Sequence, residues 1–182
     1  MSTDCPVALL DTNIWLDYYD HDRLGHTNAL QLVNELEKGG FTIVYASTSA
    51  KDMFYVLGST LKKKAQEQSG QLTQRQAEAA ASAAWGCLRN MTAIAVASPI
   101  GEPQIWLAEH MHDLHDDFED NLILAAVETS KADYFVTNDT TLLGKSACPA
   151  FTCADMVAFL QIEPATPLPP GAAPSRRCPG RC

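Results

Sequence analysis

The stretch Val7-Ala8-Leu9-Leu10-Asp11-Thr12-Asn13-Ile14-Trp15-Leu16-Asp17 joins a short apolar run, an aspartate and the opening of a helical pattern. Val7 to Leu10 reads as a strand, and Ile14, Trp15 and Tyr18 fall on one side of a helix starting at Thr12 or Asn13, with Asn13 as its N-cap. Asp11 therefore stands where a strand hands over to a helix. In an open α/β sheet the carboxyl ends of strands are where ligands bind.

The same alternation continues along the chain. A helix over about Thr27 to Lys38 ends at Gly39-Gly40, and a buried strand follows at Phe41 to Tyr45. Ser47-Thr48-Ser49 offers capping hydroxyls to a helix carrying Met53, Val56, Leu57 and Leu61, which runs into Lys62-Lys63-Lys64. Gln66 to Arg89 splits at Gly70 and resumes as an Ala-rich helix from Ala77 to Leu88, a scaffold or lid. Thr92 to Ala97 reads as a third strand, Glu102 to His112 and Asp117 to Lys131 as helices, and Asp133 to Thr137 as a fourth strand. An edge strand at Ala150 to Cys153 and a helix at Ala154 to Leu160 close the pattern. Strands alternating with helices predict an α/β fold: a parallel sheet of four to five strands in a three-layer α/β/α sandwich.

With 182 residues, 46% of them hydrophobic, the chain can bury a sizeable core without staples. Residues 1–163 are expected to form one domain. Residues 164–182 shift to Pro, Ala, Gly and Arg, which cannot offset their ordering entropy, so a disordered tail is expected there. No apolar run reaches the roughly 20 residues that span a bilayer, and Met1-Ser2-Thr3-Asp4 lacks the positive region of a secretion signal. The expectation is a cytoplasmic protein with no membrane partner. Cys5, Cys87, Cys148 and Cys153 fit buried thiols, while Cys178 and Cys182 fall short of the usual four zinc ligands.

A formal charge of −9 argues against holding nucleic acid by bulk electrostatics. It leaves room for an enzyme acting on nucleic acid, because clustered carboxylates inflate the count and a bound divalent ion reverses the local potential. Asp11, Asp52, Asp120 and Asp139 each stand where a strand-like run meets a helix or turn. Convergent carboxylates repel unless a cation lies between them. Asp52 has a second reading, since a helix dipole favours a carboxylate in the first turn without any function.

Three stretches carry a family likeness. Leu9 to Asp17, Asp117-Phe118-Glu119-Asp120-Asn121-Leu122-Ile123-Leu124-Ala125-Ala126, and Ala132-Asp133-Tyr134-Phe135-Val136-Thr137-Asn138-Asp139 resemble PIN domains, in matching order across roughly Val7 to Leu160. The likeness is to the bacterial PIN proteins that include VapC-type toxins. It implies a magnesium- or manganese-dependent ribonuclease acting on RNA, a cognate antitoxin protein and a homodimer. It matches the family's acids to Asp11, Asp120 and Asp139, and a fourth, usually Glu, to Asp52, which is one methylene shorter.

Around these acids, Asn13 can hydrogen-bond a carboxylate or a metal-bound water, and Thr137 can orient Asp139 or a phosphate. Asp117 shares a helical face with Asp120 and equally suits an N-cap. Asp17 is expected on a solvated face. His110, His112 and His115, with Asp113 and Asp116, form a polar helix end rather than a dedicated metal site, because only His112 and His115 share an i, i+3 relation. Lys62, Lys63, Lys64, Arg75 and Arg89 are candidates for RNA phosphates, against a solvated charged face, and Arg176, Arg177 and Arg181 add a weaker one.

Two other classes compete. A haloacid-dehalogenase-like phosphatase needs a second aspartate two positions after the first, where this chain has Asn13. A non-catalytic RNA- or protein-binding module on the same fold would have no need to keep four acids.

Overall fold

In a computed structural model the described residues are 5–162. The expected tail, with Arg176, Arg177, Cys178, Arg181 and Cys182, lies outside them. Five strands form one parallel sheet: β1 (Val7–Leu10), β2 (Thr42–Ala46), β3 (Val96–Ser98), β4 (Tyr134–Val136) and β5 (Ala150–Phe151). Their spatial order is β3-β2-β1-β4-β5, so β1 is central and the chain reverses its direction of travel on either side of it. Register is set by pairs such as Leu9 with Val44 and Leu9 with Phe135.

Strand side chains alternate between two cores, as the period of two requires. Ala8, Leu10, Ile43, Tyr45 and Val136 face one core. There they meet α1 (Thr12–Tyr19), α2 (His26–Lys38), α3 (Ser47–Ser69) and α8 (Cys153–Ile162), through Trp15, Leu36, Met53 and Met156. Val7, Leu9, Val44, Ala46 and Phe135 face the other, under α6 (Phe118–Thr129) and α7 (Thr140–Leu143). The fold is the three-layer α/β/α sandwich around a parallel sheet.

Two helices project as a hairpin beside the sheet. α3 ends where Gly70 turns left-handed at φ 79°, a conformation that suits glycine. α4 (Gln74–Ile94) then starts at a capping box between Thr73 and Gln76. Here the structure corrects two expectations. The Ala-rich helix is longer than residues 77–88, and the strand expected from Thr92 starts only at Val96, because Met91 is buried in the core and holds residues 92–94 in its helix. α5 (Glu102–His110) packs on α6 through Ala108, Leu122 and Ala125.

Cys87, Cys148 and Cys153 are free, whereas Cys5 is disulfide-bonded and corrects its reading as a buried thiol. It lies half-buried ahead of β1 rather than inside the core. Among the described residues no helix is long and apolar enough to cross a membrane.

Phe135 is fully buried on the second core face while Val96, on the sheet edge, is 52% exposed. Phe135→Ala should lower unfolding free energy by about 3–5 kcal/mol in a urea titration. Val96→Ala should change it by less than about 0.5 kcal/mol; similar losses at both positions would contradict this core assignment.

Candidate metal centre

The four acids reach one place from four segments of the chain. Asp11 follows β1, Asp52 lies in the second turn of α3 behind β2, Asp120 sits in the first turn of α6, and Asp139 caps α7 behind β4. All four line a cavity of about 260 Å³. It opens at the carboxyl ends of β1, β2 and β4, where the connections leave toward opposite faces of the sheet. Leu16 and Ile123 supply apolar walls, and Thr12, Asn13, Thr48 and Glu119 complete the lining.

Asp11 is the innermost, with 4% exposure. Its Oδ1 accepts from the backbone N–H of Thr12 at 2.6 Å, while its Oδ2 accepts from Asn13 Nδ2 and the Thr137 hydroxyl, each at 2.6 Å. Asp11 is therefore itself the N-cap of α1, and Asn13, expected in that role, stands inside the helix as a donor. Asn13 also donates to Thr137 Oγ1 and accepts the Asn138 N–H, while Thr137 Oγ1 accepts the Asp139 N–H at 3.0 Å. One fully buried threonine thus ties the turn carrying Asp139 to Asp11.

Each outer acid has one oxygen tethered. Asp52 Oδ1 is 2.8 Å from Lys51 Nζ, and Asp120 Oδ2 is 2.7 Å from His115 Nε2. Asp139 Oδ1 accepts from the N–H and the hydroxyl of Thr141. The Leu142 N–H also faces the Asp139 carboxylate, while the tethers on Asp52 and Asp120 leave the second oxygen of each unengaged. Such a carboxylate is oriented and still has a ligand atom to give.

Burial pushes the Asp11 carboxyl up from 3.8 to about 6, against the hydrogen bonds from Thr137 and Thr12 and with the charges of Asp120 and Asp139 adding to the rise. Asp139 moves the other way, held below the ordinary carboxylate range first by the Thr141 side chain and then by its backbone N–H, with burial opposing.

An all-oxygen donor set with a buried carboxylate lacking a cationic partner fits a hard divalent ion. No Lys or Arg lines the cavity among the described residues. The four acids are spaced more widely than Asp20, His21 and Asp22, whose ligand atoms lie within 4.8 Å of one another. That tighter trio already surrounds a cation, because Lys64 Nζ is 2.6 Å from Asp20 and 2.7 Å from Asp22.

Other residues fall away from the cavity or serve locally. Asp117 caps α6, accepting the Glu119 and Asp120 N–H groups. Lys62 and Lys63 are exposed on α3, Lys63 near Glu67, and Arg75 and Arg89 are exposed on α4. Asp17 corrects the expectation of a solvated face. It is 6% exposed, because the loop after α1 folds back to put Arg23 Nε 2.6 Å from it, and Asn138 Nδ2 donates to its other oxygen. His110 stacks on Trp106 and His112 faces Asp116, but His115 turns inward to Asp120, with Lys145 Nζ 3.0 Å from its Nδ1. Sequence reasoning missed Glu119, Thr48, Lys51 and Lys145. Only Glu119, beside Asp120 in an acidic first turn, left a signal in the sequence.

A PIN domain family model matches residues 7–141, more than half of the chain. Among solved structures, a chain of VapBC2 from Rickettsia felis, crystallised bound to a DNA fragment from their promoter, superposes with a TM-score of 0.55 at 14% identity, covering 80% of this chain and 98% of that one. PAE2754 from Pyrobaculum aerophilum superposes with a TM-score of 0.53 at 16% identity, covering 87% of this chain and 97% of its own. At such identities the likeness is one of fold. No curated protein sequence matches the chain.

The unfolded chain releases the Asp11 proton near 3.8 and the folded protein near about 6, so between these values the folded state holds the extra proton. In cation-free protein, ionisation of Asp11 should weaken the fold as pH rises across that window, by on the order of 2 kcal/mol, and Asp11→Asn should remove that component. Urea denaturation at several pH values checks it, and equal pH slopes in both proteins would contradict a buried, uncompensated Asp11.

Proposed function

This chain belongs to the PIN domain family, and from that premise we propose that it is a divalent-metal-dependent endoribonuclease hydrolysing RNA phosphodiester bonds. The observation that carries the reading is the convergence of Asp11, Asp52, Asp120 and Asp139 on one cavity at the carboxyl end of the sheet. Magnesium or manganese, when bound, supplies a nucleophilic water and neutralises charge on the phosphoryl and leaving oxygens. Asp11, pinned by three donors, gives the site its fixed anion. Asp120, from the first turn of α6, and Asp139, at the start of α7, each bring a carboxylate already oriented by one partner residue. Asp52 offers its own from α3, where Lys51 also reaches Glu119 at 3.5 Å and eases repulsion between the two acids.

The likeness to a chain of VapBC2 supports a cognate antitoxin partner, and the homodimer rests on the family resemblance alone. Exposed Tyr55, Val56 and Trp85 on the α3–α4 hairpin, and Trp106 and Phe118 on the α5–α6 pair, provide apolar surface for such contacts. The phosphatase class is disfavoured further by Asn13, whose amide is spent on Asp11 and Thr137. A non-catalytic module remains the reading to fall back on should no cleavage occur.

Purified protein should cleave RNA with magnesium or manganese and stop when a chelator is added. Asp139→Asn should cut turnover by about 100-fold or more with an unchanged circular dichroism spectrum. Asp52→Glu should retain or raise activity and Asp52→Ala should lower it. Cleavage that persists in chelator would remove the metal mechanism, and an unaffected Asp52→Ala would reduce Asp52 to the ion-pair partner of Lys51.

A further inference from the structure

His115 lies in the turn between α5 and α6, on a stretch whose neighbours His112, Asp113 and Asp116 are exposed. Its own side chain is only 17% exposed. Both of its backbone groups are held: its N–H donates to Met111 O at 2.9 Å, and its carbonyl accepts Asn121 Nδ2 at 2.7 Å. The ring then spans two elements, with Nε2 2.7 Å from Asp120 Oδ2 on α6 and Nδ1 3.0 Å from Lys145 Nζ, just beyond α7.

Donor and acceptor accounting fixes the direction of these contacts. An ammonium donates and cannot accept, so Nδ1 accepts from Lys145 and the ring N–H is on Nε2, donating to Asp120. We propose that His115 is a positioning residue for the carboxylate of Asp120, and that Lys145 sets the ring tautomer that lets it act. The proposal rests on the metal-site reading of the four acids. It adds a mechanical link, because α7 has Asp139 as its N-cap and is followed by Lys145. Two of the acids are thereby referenced to each other through one imidazole. A carboxylate with one oxygen fixed loses less freedom when the other takes a cation, and such outer partners affect metal affinity about 10-fold or more.

Manganese titration by calorimetry on the intact protein, at fixed neutral pH, tests this together with ¹⁵N NMR of the His115 ring. His115→Leu should weaken manganese binding about 10-fold. His115→Gln, whose amide N–H can reach Asp120 without help from Lys145, should recover most of that loss. Lys145→Met removes a charge in any background, so its effect is read as a difference. It should cost at least about threefold more affinity with His115 present than with His115→Gln. The NMR spectrum of the unsubstituted protein should show the Nε2–H tautomer alone, and Lys145→Met should give a mixture. Equal effects of Lys145→Met in both backgrounds, equal weakness of the Leu and Gln variants, or an Nδ1–H tautomer would each overturn the proposal. Absence of manganese binding by the unsubstituted protein would sink the metal reading instead, and the tautomer and its dependence on Lys145 would still be read directly.

Discussion

The placement of the Asp11 carboxylate, buried at the end of the central strand, is the constraint around which this molecule is arranged. A carboxylate taken out of water costs several kcal/mol unless donors and opposite charge replace its hydration. Three donors are supplied, from Thr12, Asn13 and Thr137. Opposite charge is not, and Asp120 and Asp139 add like charge instead. The fold therefore holds an electrostatic deficit at this one point. A divalent cation would turn the same deficit into binding energy.

That placement needs a strand with neighbours on both sides. β1 pairs with β2 and β4, so Asp11 emerges between the helices of one face and those of the other. Short polar ties then fix the surrounding segments. Thr12 Oγ1 donates to Ser49 Oγ, joining the starts of α1 and α3, and Asn13 joins α1 to the end of β4. Asn138 donates to Asp17 and accepts the Cys153 N–H, joining α1 to α8. Each of these bonds alone is worth about 1 kcal/mol. Their effect is geometric, since they set the distances among acids that no covalent link constrains.

The sequence revealed the sheet and the acids for the same reason: a buried parallel strand is an apolar run, and a polar residue at its end breaks the pattern visibly. Boundaries were less readable where helix and strand compete for the same residues. Thr92 to Ile94 have strand-like side chains, yet the burial of Met91 carries α4 through them. The burial of Asp17 has no local signal, because its partner Arg23 lies on a loop whose path has no periodicity. His115 and Lys145 are 30 residues apart and meet only after the chain has passed through α6, β4 and α7. No local pattern encodes such a pair. Asn13 does hydrogen-bond a carboxylate, that of Asp11, as its place beside the acids suggests, whereas its tie to Thr137, 124 residues away, follows from no local pattern.

The distribution of positive charge limits how an anionic polymer could approach this site. Lys64 is spent on Asp20 and Asp22, Lys51 on Asp52 and Glu119, and Lys145 faces His115. Lys62, Arg75 and Arg89 are exposed on the α3–α4 hairpin, which also carries the aromatic contacts of Phe54 with Tyr55 and Trp85. With a formal charge of −9, long-range steering disfavours RNA, and salt screens that repulsion. Under the nuclease reading, attraction at the cavity must then come from the cation that the carboxylates hold. Metal binding and substrate binding are coupled under that reading, because without the ion the same four acids repel any phosphate brought to the cavity.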